Sequence, residues 1–140
     1  MTFWLAATLG VAQAALPQAE PARDPVAAAL IQCAPATYDA ALACLDAHLP
    51  ASTKQQFAAK DGTAMAHFGL GLFMRNNWGL WQGGPLARFM RAKGVAVPDD
   101  MSGYILEGYA SMVRGQPRTL DQLLASRGVK TANPEERHAH

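Results

Sequence analysis

The stretch that decides the reading is residues 67–81, "HFGLGLFMRNNWGLW", an apolar segment of helical character that carries Arg75, Asn76 and Asn77 between Met74 and Trp78 and glycines at 69, 71 and 79. A helix over 64–78 places His67, Gly71, Met74 and Trp78 on one stripe, at spacings of four, three and four. Arg75 then lies about 80° around the axis from His67, close enough for both to border one pocket. Gly71 removes a side chain from mid-helix at a cost of about 1 kcal/mol relative to Ala, which suggests that a backbone or a ligand approaches there.

Two accounts of the polar insert stand side by side. In the first, the helix ends with Gly79 just past its terminus, Arg75 lies near the negative end of the helix dipole, and the asparagines tolerate irregular backbone. Trp78, Leu80 and Trp81 then anchor the exit to the core. In the second, the guanidinium of Arg75 reaches a carboxylate as a planar fork, and Asn76 and Asn77 satisfy backbone or ligand groups beside it. The internal carboxylates within reach are Asp99 and Asp100, which sit where a helix beginning at Pro98 would use them in its first turn. An Arg75–aspartate pair would tie the central helix to that one, with Ser102 as a minor polar neighbour, and would fix packing without adding much net stability.

Outward from this segment the chain reads as helices separated by breakers. Asp24-Pro25 opens one, with Asp as N-cap and Pro at the first helical position. Thr37 caps a second, in which Tyr38, Leu42, Leu45 and Leu49 recur at helical spacing before Pro50. Residues 52–60 form a short polar helix closed by Asp61-Gly62, and the central helix begins near Thr63. Gly83-Gly84-Pro85 is a turn, "LARFMRAK" a short helix ended by Gly94, and the segment entered at Pro98 a longer one ended by Gly115. Thr119 and Gln122 form a capping box for the last helix, which Gly128 closes. With no alternating strand pattern, the expected fold is all-α, a single-domain bundle of about five or six short helices over 24–128. Residues 129–140 lack an apolar face and are expected to be a disordered tail.

At 140 residues, half of them apolar, the chain fits one core. The first residues differ from the rest. An uncharged apolar run from Phe3 to Val11 meets Ala12-Gln13-Ala14, a small-x-small cleavage pattern, so residues 1–14 read as a signal peptide cut after Ala14 and 15–23 as a spacer. An N-terminal helix packed on the domain is the other reading. The run is well short of the ~20 apolar residues that a bilayer requires, so no membrane span is expected after processing.

Export to a periplasmic or extracellular location favours a disulfide between Cys33 and Cys44, the only two cysteines. On one continuous helix their separation would amount to roughly 16 Å of rise, so a bridge requires the chain to reverse at Ala34-Pro35. Two independent buried thiols are the alternative. The net charge is +1, and the mildly basic stretch 75–118, at +3 over 44 residues, is weak beside the clustered basic stripe that nucleic acid requires, so no nucleic-acid partner is expected.

"HFGLGLFMRNNWGLW", followed at a loop's distance by "PDDMSGYIL", resembles a widespread uncharacterised bacterial domain family with the pattern H-F-G-x-G-x-x-x-R-N-x-x-G-L-W and then P-D-D, over about residues 38–115. The resemblance implies a small helical domain and supplies no mechanism.

For acid–base catalysis the candidates are His67 with Asp99 or Asp100, Arg75 acting as an electrostatic stabiliser. The competing role of His67 is that of a hydrogen-bonded core residue. Ser102 lies in no nucleophile elbow, no glycine loop follows a strand, and His138-Ala139-His140 lacks further ligands, so neither metal nor cofactor is expected. Two functions follow. One is an exported binding or interaction module presenting Arg75, Asn76, Asn77, Trp78 and Trp81 to a small anionic ligand or a protein partner. The other is a small hydrolase-like enzyme using His67 and an aspartate.

Overall fold

The computed structural model describes residues 24–59 and 67–128, with His67 and Phe68 described by backbone alone. The expected signal peptide, the spacer, the start of the central helix near Thr63 and the C-terminal tail with His138 and His140 lie outside the described residues.

Among the described residues the chain is all-α, with no strand. Its helices are α1 (Pro25–Cys33), α2 (Tyr38–His48), α3 (Ala51–Ala58), α4 (Leu72–Asn77), α5 (Pro85–Ala92), α6 (Pro98–Val113) and α7 (Leu120–Ser126). Among the described residues there are seven rather than five or six, each Pro or Gly break separating a helix of its own, down to the six residues of α4. The caps follow the local chemistry. Asp24 Oδ1 accepts the Val26 N–H at 3.0 Å, and Thr37 Oγ1 accepts that of Ala40 at 3.1 Å. Thr119 and Gln122 exchange reciprocal bonds at the start of α7, the Thr119 N–H donating to Gln122 Oε1 and the Gln122 N–H to Thr119 Oγ1.

Helix α6 is the hub. It packs against α2, α3, α4, α5 and α7, and its buried residues, among them Met101, Tyr104, Ile105, Leu106 and Tyr109, point in more than one direction around the axis. Phe57 of α3 meets Tyr109 edge to face, with ring centroids 5.0 Å apart. Tyr38 of α2 crosses α6 at Gly108, where a Cβ would stand 1.7 Å from the Tyr38 hydroxyl oxygen. Only a residue without a side chain lets the two helices come this close. The Tyr38 hydroxyl then donates to the Arg118 carbonyl at 2.9 Å, fastening α2 to the segment that leads into α7.

The N-terminal hairpin closes as a bridge requires. The chain reverses through Ala34, whose φ of 39° is left-handed, and Cys33 and Cys44 form a disulfide with their Cα atoms 6.1 Å apart. Closing a loop of this size is worth about 3 kcal/mol through the unfolded chain.

The central segment departs from a straight helix. His67–Gly71 forms a π-helical turn that runs into α4. A π turn advances each residue through a smaller angle than an α turn, so the 80° placement of Arg75 relative to His67 does not carry across it. The glycines at 69 and 71 bring no Cβ into this wider turn.

Candidate functional site

Each polar residue of the insert has a partner within the fold. Arg75 is buried at 8 % exposure, with Ser102 beside it at 0 %. Its Nη1 donates to Ser102 Oγ at 2.8 Å, and Ser102 Oγ donates in turn to the Asp99 carbonyl at 3.0 Å. Arg75 Nε lies 3.2 Å from Asp99 Oδ1, an ion pair by distance, although the N–H is not directed at an acceptor and makes no hydrogen bond. The result is a cation held between α4 and the first turn of α6 by a hydroxyl and a carboxylate. Ser102, a minor neighbour in the sequence reading, is its one hydrogen-bond acceptor among the described residues.

The asparagines serve the exit of the helix. Asn77 Nδ2 donates to the Phe73 carbonyl one turn back at 2.9 Å, folding the amide onto its own helix. Asn76 Oδ1 accepts the indole N–H of Trp81 at 3.0 Å. Gly79 stands just past the helix at φ 69°, a conformation that Gly adopts freely. Its carbonyl accepts the Gly84 N–H at 2.9 Å, which folds 79–84 back towards α5.

The two tryptophans part company. Trp78 is turned into the core at 4 % exposure and donates its indole N–H to the Leu30 carbonyl of α1 at 2.9 Å, so it stays with Met74 on the buried stripe and offers no surface to a ligand. Trp81 is 52 % exposed. The Arg75 guanidinium carbon lies 6.0 Å from the centre of its ring, at the outer edge of a cation–π contact. An aromatic ring is thus presented to solvent with its polar end tethered and a buried cation behind it.

Of the catalytic candidates, Asp99 is the ion-pair partner of Arg75 and its side chain is 62 % exposed, while Asp100 is exposed in the same first turn. The side chain of His67 lies outside the described residues. Among the described residues, no group of three or more His, Cys, Asp or Glu gathers as a metal site would require, and no helix is long and apolar enough to cross a membrane.

Two tyrosines away from the insert are shifted. Burial pushes Tyr38 up to about 12, with the charges of Asp39 and Glu107 acting in the same direction. Burial and then Asp46, which accepts the hydroxyl at 3.4 Å, raise Tyr109 to about 12 as well. Both hold helices together as neutral donors.

The sequence reading missed the Tyr38–Gly108 crossing. A glycine inside an otherwise regular helical pattern was its signal. It missed the Leu30 carbonyl as the acceptor for Trp78 because nothing local links residues 48 apart in the chain.

Fold and site together define a small all-α domain, bridged by one disulfide, in which an arginine–serine–aspartate cluster locks two helices beneath an exposed tryptophan. A family model described as Domain of unknown function (DUF6794) matches residues 34–112, more than half of the chain, and the chain belongs to that family. No curated protein and no solved structure matches it.

Proposed function

We propose that the chain is exported and acts as a binding or interaction module whose contact surface is centred on Trp81 and Asn76. The observation that carries this reading is the half-exposed Trp81 ring, oriented by Asn76 and backed by Arg75. A large aromatic held in one orientation loses little entropy on contact, and tryptophan is prominent among residues that dominate binding energy.

Arg75 already has Ser102 and Asp99 as partners, and Asp99 and Asp100 are exposed nearby. A small anion would compete with Asp99 for the same cation. A protein partner that covers the Trp81 ring needs no such exchange and is the favoured ligand class.

Export is supported by the apolar run at 3–11, the cleavage pattern ending at Ala14 and the Cys33–Cys44 bridge, which suits an oxidising compartment. On this reading residues 1–14 are removed, 15–23 link, 24–128 form the working domain and 129–140 trail from it.

A photo-crosslinking amino acid at the exposed Gln82, beside an intact Trp81, compared with one at Gln116, tests the surface in cells that make the protein. A discrete adduct from position 82, lost when Trp81→Ala is added, and none from 116 is expected. The same adducts from both positions, or none from 82, would overturn the reading.

A further inference from the structure

We infer that α1 is a strap latched by the Cys33–Cys44 disulfide, and that a dithiol reductant unseats it and opens the apolar cleft it lines. This does not rest on the Trp81 surface.

Four independent features make the seating of α1 depend on the bridge. The helix is nine residues long, below the length at which an isolated helix holds itself in water. Leu30 is its one buried residue, while Ile31 points outward at 46 % exposure. Ala34, which joins it to α2, occupies the left-handed region without being glycine, and that conformation opposes the seated state. Finally, the family match begins at residue 34, so the bridge fastens an element outside the matched domain to one inside it.

What α1 covers is defined. Its Leu30 carbonyl accepts the Trp78 indole N–H. Val26 and Leu30 form one wall of a cleft of about 340 Å³ whose other walls include Leu49, Thr53, Leu70 and Phe73. With α1 gone, the Trp78 N–H loses its acceptor and Leu49, Leu70 and Phe73 face water.

The chemistry is thiol–disulfide exchange. Cys33 is partly exposed and Cys44 buried, so the thiolate of the reductant attacks Cys33 Sγ. The Sγ–Sγ bond breaks, Cys44 leaves as a thiolate and takes up a proton, and a mixed disulfide remains on Cys33. The second thiol of the reductant resolves that bond. The reductant becomes a disulfide, and the protein gains two electrons and two protons.

Amide hydrogen exchange on the whole chain, with and without dithiothreitol, tests the latch. Reduction should lower protection across α1 by roughly a hundredfold, the factor that closing a ring of this size is worth, while α6 stays protected and reoxidation restores α1. In a chain carrying Trp4→Phe and Trp81→Phe, emission from Trp78 should move to longer wavelength in the same step. The Cys33→Ser/Cys44→Ser variant should show the released state without reductant. Unchanged protection of α1 after reduction would overturn the proposal. So would exchange of α6 at the same rate as α1 in the reduced chain, since α1 would then open only with the whole fold.

Discussion

Gly108→Ala is the sharpest single test of the packing. The substitution would ordinarily favour a helix by about 1 kcal/mol. Here the new methyl would lie 1.7 Å from the Tyr38 hydroxyl oxygen and 2.6 Å from the ring carbon that bears it. To reach ordinary contact the ring must retreat by roughly 1.5 Å or more. Helix α2 is held by the disulfide and by its packing on α6, so the ring moves alone, breaking its bond to the Arg118 carbonyl. Overpacking of this kind costs about 1–3 kcal/mol and the lost hydrogen bond about 1 more, against the helical gain. A net loss of about 1–3 kcal/mol should lower the thermal midpoint by roughly 4–24 °C for a folded part of this size. In a Tyr38→Ala background the same change should be neutral or stabilising, because the obstruction is gone. Thermal unfolding of the four proteins measures the cycle. A rise in midpoint for Gly108→Ala in the parent would refute the crossing.

Other outcomes follow from the same structure. Replacing both Cys33 and Cys44 with Ser should cost about 3 kcal/mol in urea unfolding under oxidising conditions. Trp81→Ala should leave stability within about 0.5 kcal/mol, as expected of an exposed position that the core does not use. Tyr38 and Tyr109 titrate higher in the folded chain than the ordinary value of 10.0, near 12. Their contribution to stability is therefore complete below pH 10 and is lost as pH rises through 12. The midpoint should fall across that window, and less steeply in Tyr38→Phe. If residues 1–14 are a signal peptide, the mass of the exported protein should correspond to a chain beginning at Ala15.

The caps were legible because capping is local chemistry. Asp24, Thr37 and the Thr119–Gln122 pair each satisfy backbone groups within three residues, and the structure uses them as read. Gly79 as the residue that ends the central helix was legible for the same reason. The π-helical turn was not, since a 100° wheel assumes the regular geometry that this turn abandons. At the site, Arg75 could be paired on paper with Asp99 or Asp100, because a charge inside an apolar segment needs a counter-charge, but which of the two it meets could not be read. Ser102 as the hydrogen-bond acceptor could not, because a serine four residues into a helix looks like any other until the facing helix is placed. The different fates of Trp78 and Trp81 turned on a carbonyl in α1 and on a turn closed by glycines, both set by tertiary structure.

The central claim is that the charge within "HFGLGLFMRNNWGLW" serves the fold, with the contact surface lying over it. A double-mutant cycle of Arg75→Met and Ser102→Ala in urea unfolding tests this most directly. Asp99 is exposed and rehydrates when Arg75 is lost, so Arg75→Met should cost no more than its bond to Ser102, about 1.5–3 kcal/mol, whereas Ser102→Ala strands a buried guanidinium N–H. The predicted coupling is about 1.5–3 kcal/mol, the range of a hydrogen bond to a charged group. A coupling near zero would contradict the account, and would mean that Arg75 is kept for something outside the fold.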